Sequence, residues 1–439
     1  MKIIHLANQD NSGGGGGFDA AYRLHCSMRS AGQDSCMVVL HKKSDDPDVV
    51  DVASHLSVFG KVRQYVYTIQ QRIMRRTFRM SPYFNIDSQE VVHANLLVKV
   101  FPYQPDVIIA HWISGYVNAT TLRDLNLITG APILWYCMDM APYTGGCHYS
   151  FGCAGYTGQC GNCPQLGMSK SSQDLSYRQL TNKITSLRET NITVVTASSW
   201  SKSQLISGSI FRNKRHETIL LGVDVDVFCP TPQEKARKQL DLLIARKIIF
   251  FGAQSLYEER KGIRYLVDAL KLLHAMLGDN VTLRDQVLVV TAGKSKNAAE
   301  LDIAFEHRHI GFLKGDVLLA AGYQAADVFV NASIEDAGPM MINESLLCGT
   351  PVVSFEMGVA VDLVHTGKTG YRALLKDAQD MATGLREILE QNDKAKNAMR
   401  ECSRNYGLQM CHPDVQVKAF TALCCDVISN NKSNRPLEK

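Results

Sequence analysis

The sequence predicts an α/β protein built from two Rossmann-like, doubly wound domains. Apolar runs of strand length alternate with amphipathic segments of helix length, and this pattern starts again near residue 245 after a turn-rich stretch at 222–235. The chain has 439 residues, of which 45% are hydrophobic and 21% charged, enough for two domains with full cores. The expected strands are 3–7, 36–40, 107–110, 133–137 and 193–197 in the first series and 248–252, 287–292, 326–330 and 351–355 in the second.

Composition narrows the class of protein. No stretch approaches the ~20 apolar residues of a membrane span, and the apolar start at 1–6 is too short for a signal peptide, so we expect a cytoplasmic protein. Thirteen cysteines, an odd number, fit reduced thiols or a metal site better than a disulfide framework. A net charge of +4 is too small to indicate nucleic acid as a partner.

The segment 333–355 carries the clearest functional pattern. It places acidic residues, a Gly-Pro loop and a helix start between two expected strands, and open parallel sheets bind ligands at the strands' carboxyl ends. Carboxylates there suit ribose hydroxyls, and loop N–H groups can hold phosphate or sugar oxygens. The alternative is that the acidic residues only cap and solubilise a helix. The predicted sugar-nucleotide site comprises Glu335, Asp336, Gly338, Pro339, Met340, Met341 and Glu344.

A glycine run follows the first expected strand. Residues 13–17 are all glycine and precede an expected helix at 18–31, so the backbone can approach a ligand closely at Gly14, Gly15 and Gly16. Phe18 and Asp19 interrupt any G-x-G-x-x-G pattern, and no Walker A motif is present. A plain flexible loop is the alternative.

Several polar residues stand at the ends of the expected strands. Lys261, beside Arg260, opens a helix; a cation there is unfavourable for the helix and suggests a bound anion, although a solvated lysine is the alternative. Lys294 follows the strand at 287–292, and Phe312 lies in the apolar segment 309–313. In the first domain, His111 and Asp139 follow two strands and are expected to point into a cleft.

The order of these motifs, from the glycine loop to the terminal helix, resembles that of family-4 retaining glycosyltransferases. Asp336 and Glu344 have the spacing of the family's Glu-x7-Glu pair, with Asp in the first position. The resemblance implies a GT-B fold, in which two Rossmann-like domains face each other across a cleft. It implies an acceptor-side domain at 1–215, a nucleotide-sugar-binding domain at 216–410, a helix at 411–430 that crosses back to the first domain, and a loose tail at 431–439.

The resemblance also implies roles for the donor-side residues. Glu344 would bind the nucleotide ribose, and either Glu335 or Asp336 the hydroxyls of the transferred sugar. Lys261 would hold the diphosphate. The family's usual arginine after the strand glycine is absent at 253–255, so Arg260 or Lys294 would supply the second charge.

Three further segments take roles by the same resemblance. The glycine loop would lie beside the donor phosphates, and the segment of Phe312 along the nucleobase. Met138 stands where many members carry a histidine, and methionine donates no hydrogen bond, so Asp139 or His111 would act in its place.

The implied activity is that of a retaining, hexosyltransferase-type enzyme. It would move a sugar from a nucleotide-diphosphate sugar to a hydroxyl of a polyprenol-linked glycan in surface polysaccharide biosynthesis, with no cofactor in catalysis. Two alternatives stay open. One is a sugar-nucleotide epimerase on the same fold, and the other is a non-catalytic nucleotide-sugar-binding protein.

Four cysteines form a cluster with the spacing C-x5-C-x6-C-x2-C inside an insertion at 145–165. They are Cys147, Cys153, Cys160 and Cys163. Four thiolates this close fit a tetrahedral, structural zinc site. Disulfides or free thiols, or an iron–sulfur centre, are the alternatives. The pattern also resembles a subset of these glycosyltransferases associated with surface polysaccharide synthesis.

A basic segment lies between Asp51 and Asp87, which enclose no acidic residue. Its apolar residues recur at helical spacing, so it suits docking on an anionic membrane face through residues 61–79. A solvated helix packed on the first domain is the alternative. The basic residues are Lys61, Arg63, Arg72, Arg75, Arg76 and Arg79, and the apolar ones Val62, Val66, Ile69 and Ile73.

Overall fold

A computed structural model describes residues 1–11, 16–87, 92–278, 280–295 and 301–433. Gly14, Gly15 and the last part of the predicted tail, 434–439, lie outside the described residues. The chain divides into two compact units. The first contains Met1–Ala197, Ser201–Ile219 and the chain from Gln416 onward, and the second contains Ser198–Trp200 and Leu220–Val415.

The first unit is built on a parallel sheet of seven strands within the described residues. The strands are β1 (Lys2–Gln9), β2 (Asp34–His41), β3 (Val49–Asp51), β4 (Val107–Ala110), β5 (Ile133–Cys137), β6 (Ile192–Thr196) and β7 (Arg215–Thr218), in the order β3-β2-β1-β4-β5-β6-β7. The helices are α1 (Gly17–Ser30), α2 (Val58–Phe78), α3 (Ala94–Val100), α4 (Ala119–Thr129), α5 (Leu175–Leu187) and α6 (Ser199–Ser207). Short 3-10 helices span Val52–His55, Ala141–Tyr143, Gly155–Thr157 and Pro164–Ser169.

The second unit repeats the design with six parallel strands in its described part. They are β8 (Lys247–Ser255), β9 (Val287–Lys294), β10 (Glu306–His309), β11 (Val328–Asn331), β12 (Val352–Phe355) and β13 (Gly370–Ala373), in the order β10-β9-β8-β11-β12-β13. A 3-10 helix spans Glu259–Lys261. The α-helices are α7 (Gln233–Gln239), α8 (Ile263–Leu277), α9 (Val281–Gln286), α10 (Asp316–Ala325), α11 (Met340–Leu347), α12 (Ala360–Leu363), α13 (Ala378–Leu389) and α14 (Asp393–Cys411). The terminal helix α15 (Pro413–Ser433) belongs to the first unit from Gln416 onward.

The α/β fold class is confirmed, because both sheets are parallel and helices lie between most successive strands. The central strands β4 and β5 coincide with the predicted ranges, since both of their faces are buried and they read as unbroken apolar runs. Strand β11 begins two residues later than predicted. Asp327, the residue before this strand, accepts a hydrogen bond from the Ile248 backbone N–H at 2.7 Å and pairs with Arg237 at 2.9 Å. These side-chain contacts are made just before the first residue of β11.

The terminal helix α15 contributes to the core of the first unit from Gln416 onward. The ring of Phe420 meets that of Tyr136 edge to face at a centroid distance of 5.0 Å. Gln416 donates a hydrogen bond to the Tyr136 hydroxyl at 3.3 Å, and this hydroxyl donates to the Ile219 carbonyl at 2.7 Å. None of the helices in the described ranges combines the length and hydropathy needed to cross a bilayer.

Candidate functional site

In the second unit, backbone contacts bring the segment after β8 against the end of β11. Gly262 has a φ of +69°, and a Cβ at this position would lie 1.9 Å from the Ala332 carbonyl oxygen, so only glycine fits without a shift. The Ile334 N–H donates to the Arg260 carbonyl at 2.8 Å. These contacts place the cations before Gly262 beside the acidic residues that follow Ile334.

Lys261 and Arg260 both bind the carboxylate of Asp336. The Lys261 Nζ lies 2.6 Å and the Arg260 guanidinium 2.8 Å from the same Asp336 oxygen. Burial by itself would raise the pKa of Asp336, but the charges of Lys261 and Arg260 outweigh it and lower the pKa to about 2. Arg260 also pairs with Glu258 at 2.9 Å. Predicted diphosphate ligands and a predicted sugar ligand thus form one buried cluster, which residue types alone did not reveal.

The loop after Asp336 is held from several sides. The Asp336 N–H points at the Met357 sulfur at 3.0 Å, and the Ala337 carbonyl accepts a hydrogen bond from Ser198 at 2.6 Å. Glu335 is buried, as are Pro339 and Met340, while Gly338 and Met341 are half-buried. A Cβ on Gly252, in β8, would lie 2.9 Å from the Met341 methyl carbon, so that glycine makes room for Met341.

Glu344 lies in α11 and is 3% exposed. Its carboxylate accepts a hydrogen bond from the Tyr323 hydroxyl of α10 at 2.9 Å. Burial, followed by the negative charge of Glu344, raises the pKa of Tyr323, so this phenol stays a hydrogen-bond donor. Tyr323 is a site residue that sequence reasoning missed, and its place in an apolar helix offered no signal.

Lys294 and Phe312 meet at the ends of β9 and β10. The Lys294 ammonium lies over the Phe312 ring, 5.4 Å from its centroid, and the ring is 38% exposed. The Gly293 N–H donates to the Gly311 carbonyl at 2.8 Å, which joins the two loops. Lys294 therefore stands by Phe312, whereas the cations at Asp336 are Arg260 and Lys261.

In the first unit, the end of the glycine run packs on the loop after β4. Gly16, which precedes α1, is exposed, and a Cβ on Gly17 would lie 3.0 Å from the Trp112 ring and 3.4 Å from the Met138 Cβ. Phe18 stacks on Trp112 with a centroid distance of 5.0 Å. The start of α1 is thus brought to the predicted residues that follow β4 and β5.

His111 is part of a buried histidine group. Its Nε2 lies 2.9 Å from Nδ1 of His5, and the rings of His5 and His25 meet edge to face at 5.6 Å. His111 is 1% exposed, and burial, with a smaller effect of His25, lowers its pKa to about 3. His111 is therefore neutral at pH 7, so it is not a source of positive charge for a phosphate.

Asp139 is held by two local donors. One carboxylate oxygen pairs with Nδ1 of His148 at 2.6 Å, and the other accepts from the Ala141 N–H at 2.8 Å. Asp139, His111, Trp112 and Met138 line a solvent-connected pocket of about 390 Å³.

A buried lysine lines the same pocket. Lys183, 3% exposed, pairs with Asp87 at 3.0 Å and donates to the carbonyls of Ala141 and Thr144 at 2.7 and 3.0 Å. Sequence reasoning missed Lys183. It also gave His148 no role, although a histidine between a cysteine and a tyrosine in a polar loop is a pattern that indicates a functional residue.

All thirteen cysteines are free thiols. A hydrogen bond with Cys163, together with burial, raises the pKa of the Cys147 thiol, and the charges of Cys160 and Cys153 act in the same direction. In the described ranges, no group of three or more His, Cys, Asp or Glu side chains is arranged to hold a metal ion. The zinc prediction is therefore not supported.

Comparison with known proteins locates a family domain in the second unit. Residues 245–391 match the model of glycosyl transferases group 1. The chain is 27% identical over 212 residues to a D-inositol 3-phosphate glycosyltransferase of Geodermatophilus obscurus, a match that covers 46% of this chain and 46% of that protein. The chain thus spans less than half the length of the curated relatives it matches.

Solved structures extend the likeness to nearly the whole chain. Sucrose-phosphate synthase from Thermosynechococcus elongatus aligns with a TM-score of 0.65 at 15% identity, covering 98% of this chain and 100% of that one. Anabaena HepE in complex with UDP-glucose aligns with a TM-score of 0.59 at 16% identity, covering 97% and 100%. These neighbours confirm the GT-B fold, and with the group 1 domain they confirm the resemblance to family-4 GT-B glycosyltransferases.

Proposed function

We propose that this chain, through its glycosyl transferases group 1 domain, transfers a sugar from a nucleotide-diphosphate sugar to a hydroxyl group of a glycan. The observation that carries the proposal is the cluster of Lys261, Arg260 and Asp336 at the carboxyl ends of β8 and β11. Ligands of parallel α/β sheets bind at this edge. Two cations converge there on one carboxylate oxygen, and cations placed together in this way also suit phosphate oxygens.

In this proposal Lys261 is the main phosphate ligand. An ammonium group has three N–H donors, and Asp336 takes one of them. The guanidinium of Arg260 adds a second, permanently charged donor set. When the sugar–phosphate bond breaks, negative charge develops on the leaving diphosphate. Both cations are already in position before the reaction begins, so they stabilise this charge as it develops.

The neighbouring acidic residues take the recognition roles. Glu344, oriented by the Tyr323 hydroxyl, binds the ribose hydroxyls. Asp336 is tied to the cations, so Glu335 is the better candidate for the hydroxyls of the transferred sugar. Lys294 and the exposed ring of Phe312 form the edge along which the nucleobase lies. Gly338 to Met341 offer the loop that faces the sugar and phosphates.

Retention of anomeric configuration is part of the proposal and is supported by the resemblance to family-4 enzymes. The acceptor hydroxyl attacks from the face that the diphosphate leaves, and an oxygen of the diphosphate takes the proton, so no side-chain nucleophile is needed. His111 and Asp139 line the first unit's pocket, and there they position the acceptor.

The comparisons and the loop pattern support the donor and acceptor classes that we propose. The HepE structures hold UDP and UDP-glucose, which supports a uridine diphosphate sugar as the first donor to test. The Cys-containing loop at 145–165 resembles that of enzymes of surface polysaccharide synthesis, which supports a polyprenol-linked glycan as acceptor. The names of the relatives mention inositol phosphate and sucrose phosphate instead.

The test is release of nucleoside diphosphate from a panel of nucleotide sugars, with and without a lipid-linked glycan. We expect acceptor-dependent release by the wild type and a loss of about 10²-fold or more in Lys261→Met, as for removal of one charge-stabilising donor. Lys271→Met is the matched control, because this exposed lysine of α8 pairs only with Asp302 among the described residues. NMR of the product's anomeric proton reports retention.

The alternative functions give different results in the same assay. An epimerase would convert the nucleotide sugar without acceptor. A non-catalytic protein would bind the nucleotide and release nothing. If no donor is bound or turned over, the proposal is wrong.

A further inference from the structure

Helix α2 presents an apolar stripe to solvent along its whole length. At about 100° per residue, the apolar side chains of this stripe fall within an arc of about 120° on the helix surface. Phe59 is 80% exposed at one end and Ile73 58% exposed near the other. The stripe consists of Val58, Phe59, Val62, Tyr65, Val66, Ile69 and Ile73.

The opposite face of α2 is firmly attached to the first unit. Tyr67, the one buried residue of the helix, donates its hydroxyl to the Ile86 carbonyl, and Gln71 donates to the same oxygen at 3.2 Å. Arg75 donates to the carbonyls of Ser81 and Phe84 at 3.0 and 2.6 Å. The helix is thus docked by its polar face, and its stripe faces outward as a consequence.

The Cys-containing loop supports the carboxyl-terminal half of α2. Met74 and Phe78 pack on a small apolar cluster that includes Cys147, Cys163 and Leu166. Gly167 has a φ of +55°, and a Cβ there would lie 2.1 Å from the Phe78 carbonyl oxygen. The loop therefore fits closely under the helix end and holds it in place.

Positive charge lines the stripe. Lys61 and Arg72 project on one flank, Arg63 on the other, and Arg76 within it, by the same helical spacing, and the exposed Arg79 follows the end of the helix. The segment 52–86 contains no acidic residue. Among the described residues, Lys61, Arg72, Arg76 and Arg79 form no ion pair. An apolar stripe bordered by cations is the pattern of helices that lie in the interface of an anionic membrane.

We propose that α2 docks the first unit on an anionic lipid surface, with the stripe inserted among the acyl chains and the flanking cations at the headgroups. A lipid surface is favoured over a protein partner because the stripe runs the length of a 21-residue helix and is convex, with charges of one sign along it.

The experiment is co-sedimentation of the full chain with vesicles of phosphatidylcholine, with and without phosphatidylglycerol. We expect binding only when the anionic lipid is present, and loss of that binding at about 0.5 M NaCl, because salt screens the headgroup attraction. Vesicle binding does not depend on the transfer reaction proposed above, so either proposal can fail while the other stands.

Two variants remove the two parts of the surface separately. Phe59→Ser/Ile69→Asn/Ile73→Asn removes apolar contact, and Lys61→Gln/Arg72→Gln/Arg76→Gln removes three charges. We expect each to weaken vesicle binding by at least about tenfold, since one basic residue near an anionic surface contributes about fivefold. The matched control is Lys99→Gln/Lys170→Gln/Arg188→Gln, exposed cations of the same unit outside α2, which should bind like wild type.

Circular dichroism shows whether each variant is folded. The proposal would be overturned if the wild-type chain did not bind vesicles that contain phosphatidylglycerol. It would also be overturned if the α2 variants bound these vesicles as well as the control variant does. Light scattering that shows a dimer, converted to monomer by the apolar variant, would also overturn it, because the stripe would then be covered by a second copy of the chain.

Discussion

The substitution Lys261→Met removes one of two cations that hold the buried carboxylate of Asp336. The lost contact has an N–O distance of 2.6 Å, while Arg260 remains at 2.8 Å. Lowering the pKa of Asp336 from 3.8 to about 2 corresponds to about 2 kcal/mol of net stabilisation, which is what its partners contribute after the opposing effect of burial is subtracted. Because Arg260 stays, we expect the free energy of unfolding to fall by only about 1–2 kcal/mol.

The pH dependence has a defined sign. The pKa of Asp336 is lower in the folded than in the unfolded protein, so its contribution to stability is complete above about pH 4 and is lost as the pH falls toward 2. Asp336→Asn should remove this dependence. Lys261→Met should move it to higher pH, because the carboxylate is then less well stabilised.

The assay is urea unfolding of wild type, both single variants and the double variant, followed by circular dichroism. We expect a coupling energy of about 1 kcal/mol or more between Lys261 and Asp336. Lys271→Met, whose partner Asp302 is 84% exposed, should leave stability close to that of wild type, because exposed ion pairs contribute little. Additive effects of Lys261→Met and Asp336→Asn, with coupling near zero, would refute the reasoning that the buried pair stabilises the loop.

Three further predictions follow from named contacts. Gly262→Ala should displace the segment of Lys261 from Ala332 and lower the free energy of unfolding by about 2 kcal/mol or more. Calorimetry should then show weaker nucleotide binding. Unchanged binding would contradict the proposal that this close contact positions Lys261 for the nucleotide. Tyr323→Phe should weaken nucleotide binding, because Glu344 loses a buried hydrogen-bond donor worth about 1–3 kcal/mol, and an unchanged dissociation constant would count against Glu344 as ribose ligand. Burial lowers the pKa values of His5, His25 and His111, so as the pH falls the unfolded state binds protons at these side chains before the folded state does. Stability should therefore decline as the pH falls below about 6.5. Thermal unfolding measures the slope of stability against pH, which should be smaller in His25→Gln than in wild type.

Local patterns in the chain determined the secondary structure. Strands β4 and β5 were predicted to the residue because each is an apolar run buried on both faces, and β12 differs by one residue. Strand β11 was misplaced by its first two residues, because the side chain of Asp327 takes part in contacts with Ile248 and Arg237 that are distant in sequence. Motif spacing likewise located Lys261, Asp336 and Glu344 in the segments that follow β8 and β11.

Only tertiary structure decided what those residues contact. Lys261 and Asp336 are 75 positions apart, and their ion pair depends on the close approach of Gly262 to Ala332, which has no signature beyond a single glycine. The hydrogen bonds of Tyr323 with Glu344 and of His148 with Asp139 depend on the packing of helices and loops. Four cysteines at zinc-like spacing form no recognisable metal site among the described residues, because spacing along the chain does not by itself fix the arrangement of the side chains in space. The sequence by itself thus determined which groups are present at each strand end and which faces are apolar, since these depend on neighbours along the chain. The partners of each charge, and the exposure of the stripe on α2, were decided by the fold, since they depend on segments that meet only after folding.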